Sequence, residues 1–118
     1  ATVDGLLRNK LGFDGLTITD DLEMGAIVKN FGMGAACVMA VNAGIDMLSI
    51  CASPDAIREG FTAVSAAVES GEIAESRIEE SLRRIERYRA YLMPPVEFDE
   101  AELERVSAEI EVFTKELA

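Results

Sequence analysis

The residues Thr17-Ile18-Thr19 run directly into two adjacent carboxylates, Asp20 and Asp21, followed by Leu22, Glu23 and Met24. A glycine-flanked turn, Gly12-Phe13-Asp14-Gly15, leads into this run, and its β-branched residues favour a strand. In a parallel α/β sheet the C-terminal ends of the strands open onto the crevice where ligands bind. A carboxylate at that place can act as nucleophile, acid or base, whereas the same group in mid-strand would be a folding error. Paired carboxylates at a strand end also suit Mg²⁺ in phosphoryl transfer. That chemistry needs a third carboxylate from another strand end and a phosphate contact, and the sequence supplies neither clearly.

The remaining chemistry is sparse. The chain has no His, so by itself it makes no His-based dyad, triad or metal site. Cys37 and Cys51 lack metal-ligand spacing and sit among apolar neighbours, which reads as two reduced core residues. Asp14 reads as a turn residue, and Asp46, after Ala43-Gly44, as a cap on the turn into the next strand.

The elements that position Asp20 follow from the pattern. Val3–Lys10 is expected to be helical, with Gly12 as terminator. Leu16–Thr19 is the first strand, and Asp20–Gly25 a loop or the first turn of a helix. Gly32–Ala43 reads as a helix whose apolar face uses Ala35, Ala36, Ala40 and Ala43, with Val38 and Met39, to lie close against a sheet, with Gly44 as its C-cap. Met47–Cys51 is the second strand, apolar enough to be covered on both faces. Ser53-Pro54 opens the next helix, on which Ile57, Phe61, Val64 and Val68 share a face and which Gly71 closes. Ala74–Leu92 is a further helix, with Glu79–Arg83 and Glu80–Arg84 forming a solvated face. The last helix starts at Asp99, and Leu103, Val106, Ile110, Phe113 and Leu117 form a narrow apolar seam. That seam is expected to pack on the rest of the domain or on an adjacent copy. The two strands are expected to form one parallel β-α-β unit. Two strands alone make no independent sheet, so the missing strands must come from an upstream segment, another chain or a rearranged helical packing.

With 118 residues, 49% hydrophobic and 28% charged, the composition is that of a globular domain. A formal charge of −11 repels phosphate backbones and anionic lipid, so neither nucleic acid nor a membrane surface is an expected partner. No apolar run approaches the roughly 20 residues that span a bilayer. The chain does not open with a basic start followed by an apolar signal segment, and the expected compartment is the cytoplasm. It starts at Ala1 within what reads as the tail of a helix, as expected of a piece of a longer protein or a processed chain.

Three blocks in order, LLRNKLGFDGLTITDDLEMGAI, AVNAGIDMLSIC and RIEESLRRI, resemble the C-terminal part of the catalytic barrel of glycoside hydrolase family 3, in its β-N-acetylhexosaminidase branch. The resemblance covers about residues 5–92. It implies an α/β fold that is the C-terminal fragment of a (β/α)8 TIM barrel, with about two β/α units at 1–93 and an extra helical tail at 94–118. A full barrel takes about 250 residues. Leu16–Thr19 is similar to the seventh strand and Met47–Ile50 to the eighth.

The family's nucleophile is the Asp that follows a small hydroxyl residue at the end of the seventh strand. Here that position is Asp20 after Thr19; the family more often has Ser before it. The β-glucosidase branches typically carry Trp next, so Asp21, Leu22 and Met24 favour the hexosaminidase branch. Asp21 and Met24 are the candidate substrate-binding residues. Asp21 is expected to cap the turn or support its neighbour, with direct sugar contact as the alternative, and Met24 to line the pocket or pack in the core. The resemblance implies a retaining mechanism in which one carboxylate attacks the anomeric carbon while a second group protonates the leaving oxygen. The resemblance to this branch implies a His on an upstream loop as the acid/base; this chain has no His, and it also lacks the upstream sugar-binding Lys-His and Arg motifs. The substrate implied is a terminal β-N-acetylglucosamine unit, with no metal or organic cofactor. The isolated chain is expected to be inactive and to self-associate or await the upstream barrel segment. Two alternatives stay open, a non-catalytic self-associating α/β or helical module and a β-glucosidase-like member of the family.

Overall fold

In a computed structural model the described residues, 2–95 and 97–117, open with a π-helix over Thr2–Lys10. Gly12, with φ of 71°, ends it by donating its N–H to Arg8 O, while Phe13 N reaches Leu7 O. The chain then enters β1 (Ile18–Asp21), crosses through α1 (Gly25–Phe31) and α2 (Met33–Ala43), and returns in β2 (Met47–Ser49). Three helices follow, α3 (Pro54–Glu69), α4 (Glu75–Arg89) and α5 (Glu100–Glu116).

β1 and β2 pair in parallel. The first strand lies two residues later than its sequence suggests. Its ladder begins where Thr17 O accepts the N–H groups of Asp46 and Met47 and ends where Leu22 N donates to Ser49 O. Asp20 and Asp21 are therefore the last two residues of β1 instead of the first two beyond it. β2 is shorter than expected and stops at Ser49.

The core lies on one side of this ribbon. Leu22, Met33 and Cys37 form one buried cluster and Val41, Ala67 and Ile73 another. Leu48 of β2 and Val64 of α3 pack against both, which joins them. Helix α2 leans on α3 through glycines: a Cβ on Gly60 would stand 2.8 Å from Cys37 Sγ, and one on Gly34 would stand 2.9 Å from Ala63 Cβ. The small residues of α2 thus serve a helix–helix approach as well as the sheet, but Ala35 and Met39, both expected on the apolar face, are exposed. The opposite side of the ribbon is uncovered. Ile18 and Met47, which are Cα partners, are 60% and 38% exposed, so the second strand is covered on one face only.

The caps follow the sequence. Ser53 Oγ accepts Ala56 N at the start of α3, Asp99 accepts Glu102 N at the start of α5, and Gly44 closes α2 in the left-handed region at φ 106°. Cys37 is buried as expected, but Cys51 is exposed because β2 ends before it. The seam of α5 does not pack on the domain: none of the helix's residues is buried, and Leu103, Ile110 and Phe113 are all more than half exposed. The radius of gyration is 19.2 Å, against about 13 Å for a compact domain of about 100 residues.

Candidate active site

Asp20 owes its placement to an irregularity in the ladder. Ile18 is the partner of Met47 and Asp21 the partner of Ser49, so β1 carries one residue more than β2 between the two pairs. This bulge falls at Thr19–Asp20. A bulge bends its strand and re-aims a side chain, and bulges collect beside active sites. The Thr19 hydroxyl accepts Ser49 N at 2.9 Å, satisfying the donor that the interrupted ladder would otherwise leave unpaired. Asp20 stands just after it, with Oδ1 accepting the Asp21 N–H at 2.8 Å in an exposed bond.

The next residues anchor this end. Leu22 is 7% exposed and plugs the first core cluster. Asp21 is half-buried, and its Oδ1 accepts Glu23 N at 3.0 Å, the capping role expected of it. Met24 starts α1 through its backbone, with its carbonyl accepting Ile27 N and Val28 N, and its side chain is 50% exposed. The core position open to Met24 is thus not taken. A cleft of about 890 Å³ between α2 and α3, lined by Gly34, Val38, Met39, Ala63 and Ala66 among others, includes none of Asp20, Asp21 and Met24.

At the other end of the ribbon Asp46 does far more than cap a turn. Its side chain is wholly buried. Oδ2 accepts Arg8 Nη2 at 2.6 Å, Thr17 Oγ1 at 3.0 Å and Thr17 N at 3.1 Å. Oδ1 accepts Ser81 Oγ at 2.9 Å, Arg77 Nη2 at 3.1 Å and Arg84 Nη1 at 3.1 Å. Burial pushes this carboxyl up, but the Thr17 N–H, Ser81, Arg77 and the Thr17 hydroxyl together outweigh it and hold the pKa at about 2. Every donor is a residue of the fold and Asp46 stands at the start of β2, so the cluster braces the sheet's base, opposite Asp20.

Arg84 belongs to this cluster and is 15% exposed, so it does not lie on a solvated helix face; Glu80 lies 4.0 Å from it at the rim. Asp14 is an exposed turn residue as expected, and its hydrogen bond to Arg87 holds its carboxyl below the usual range. Sequence reasoning passed over Glu23, whose carboxylate accepts the N–H groups of Ala52 and Ser53 across the site. A charged residue between buried Leu22 and a helix start was the available signal.

Residues 1–88 match the model of the glycosyl hydrolase family 3 N-terminal domain. The chain belongs to glycosyl hydrolase family 3. A beta-hexosaminidase of Xylella fastidiosa is 34% identical over 64 residues, covering 53% of this chain and 18% of that protein. A beta-N-acetylglucosaminidase/beta-glucosidase of Cellulomonas fimi is 30% identical over 90 residues, 76% of this chain and 15% of that protein. Among solved structures, a glycoside hydrolase family 3 beta-N-acetylglucosaminidase of Paenibacillus sp. is 39% identical with a TM-score of 0.73, over 82% of this chain and 19% of that one. This family 3 chain therefore spans less than a fifth of the length of each of these relatives.

Proposed function

We propose that this chain forms the last two β/α units of a family 3 (β/α)8 barrel, at about 1–93 with a helical tail after it, and that Asp20 is the nucleophile of the whole protein. That protein would be a retaining glycosidase that removes terminal β-N-acetylglucosamine. Asp20 attacks the anomeric carbon to give a glycosyl-enzyme, and a group from outside these residues protonates the leaving oxygen and then activates water. The observation that carries this reading is a carboxylate on a bulge at the C-terminal end of a parallel strand, where barrel enzymes keep their reacting groups. The uncovered face at Ile18 and Met47 suits a ribbon whose other side would be filled by the side chains of neighbouring barrel strands.

The test is trapping with a 5-fluoro N-acetylglucosaminyl fluoride in the whole protein, followed by mapping of the labelled peptide. Label on Asp20, and loss of nearly all turnover in Asp20→Ala, are expected; unchanged turnover would dismiss the assignment. The isolated chain, without a His, is expected not to hydrolyse a chromogenic N-acetylglucosaminide. A second reading, β-glucosidase activity beside or instead of this, has support in the double name of the Cellulomonas fimi relative. Comparing kcat/KM for chromogenic glucoside and N-acetylglucosaminide separates the two.

A further inference from the structure

One side chain ties the loop after β1 to the loop after β2. Glu23 Oε2 accepts Ala52 N at 2.5 Å and Oε1 accepts Ser53 N at 3.0 Å. From there the bonding enters α3, because Ser53 Oγ accepts Ala56 N at 3.2 Å. In the other direction Glu23 N donates to Asp21 Oδ1 at 3.0 Å, and Asp21 N donates to Asp20 Oδ1 at 2.8 Å. A chain of hydrogen bonds thus links the Asp20 carboxylate to the first turn of a 16-residue helix.

We propose that Glu23 is a positioning residue for Asp20, fixing the reacting carboxylate by clamping its loop to the N-terminal end of α3. The proposal rests on Asp20 being the nucleophile. Among the described residues the Asp20 carboxylate hydrogen-bonds to its own neighbour, so its aim depends on where the loop is held. Attack requires the reacting atoms to sit about 3–3.5 Å apart with aligned orbitals, and a shift of about 1 Å in that placement can lower the rate about a hundredfold. Two features suit a carboxylate for the clamp. Its two oxygens match two consecutive N–H donors, and its charge is favoured at a helix N-terminal end. An amide at this position offers one acceptor and turns donors toward the second N–H.

The experiment uses the whole protein with E23Q and E23A. A 5-fluoro N-acetylglucosaminyl fluoride titrates the active sites, so that kcat is read per competent site and any fraction that fails to fold drops out. E23Q keeps the shape of the side chain and guards against collapse of the loop in E23A. Expected are a fall in kcat per titrated site of about tenfold in E23Q and up to about a hundredfold in E23A, a slower labelling rate of Asp20 in the same ratio, and KM within about threefold of the parent. A merely structural role would lower the number of titrated sites and leave kcat per site alone. Label on Asp20 with kcat per site within about twofold of the parent in both variants overturns the role of Glu23. Label on a different residue overturns the nucleophile reading itself.

Discussion

The hydroxyl of Thr19 stands 2.9 Å from the backbone nitrogen of Ser49 and takes the part of a ladder carbonyl at the point where β1 bulges. The residue before Asp20 is therefore tied to the neighbouring strand by its side chain, and the bulge that carries Asp20 has a partner for its stranded donor. This gives a physical reason for a hydroxyl at position 19, and Ser would supply the same acceptor.

T19V keeps the β-branched shape and removes the acceptor. A buried or half-buried N–H left unmatched costs about 1–3 kcal/mol, so urea denaturation of the chain should show a loss of that size, with T19S close to the parent. In the whole protein T19V should also lower kcat, and a T19V protein with full stability would show that the ladder closes without the hydroxyl.

Asp46 is the most demanding residue for stability. D46N keeps the volume and removes the charge from among Arg8, Arg77 and Arg84. Breaking a buried ion cluster by removing one partner costs about 3–5 kcal/mol, enough to shift the urea midpoint strongly or unfold the chain at room temperature. A loss below about 1 kcal/mol would show that the arginines find other acceptors.

The same carboxyl sets an acid limit. Its pKa is about 2 when folded, against an ordinary value of 3.8. Its contribution is fully present above the unfolded value and fades as pH falls from about 4 through about 2. The displacement corresponds to about 2 kcal/mol. Denaturation free energy measured between about pH 5 and pH 2 should drop by this order, and in D46N this component of the slope should vanish.

Gly60 is a packing requirement. A Cβ there would lie 2.8 Å from Cys37 Sγ and 3.1 Å from Ile50 Cδ1, so G60A should destabilise by about 1–3 kcal/mol through overpacking, despite the better helix propensity of Ala. A stabilised G60A would show that α2 and α3 can part without loss.

Removal of residues 97–117 should leave the stability of the remainder within about 0.5 kcal/mol, because no residue of α5 is buried. A larger change would reveal packing of the Leu103–Leu117 seam in solution.

The helices were legible from caps and periodicity except α1 (Gly25–Phe31), which has neither a side-chain cap nor a buried residue to announce it. Ser53, Asp99 and Gly44 act as their residue types predict, since capping is decided within a few residues. The strand ends were displaced by two residues because ladder bonds come from the partner strand, and nothing local in Leu16–Thr19 announces that Thr17 O and Leu22 N are its limits. Asp20 was legible as chemistry through its neighbours in sequence. The Asp46 cluster was not, because Arg8, Arg77 and Arg84 lie 31 to 38 residues from it, and a helical i, i+4 pattern gave Arg84 a different partner. Glu23 escaped for the same reason, its acceptors serving donors 29 and 30 residues away.

Three guanidinium groups meeting one carboxylate at the foot of β2 also proofread the alignment of the two strands. Sliding β2 by a single position would bring Ile45 or Met47 into that charged nest and take from Arg8, Arg77 and Arg84 the one buried carboxylate they share, a penalty added to that of the mispaired backbone bonds. The ribbon is short and one of its faces is bare, so its own ladder and side-chain packing discriminate weakly between alignments. The electrostatic lock at its base supplies that discrimination, and with it fixes the height at which Asp20 emerges at the opposite rim.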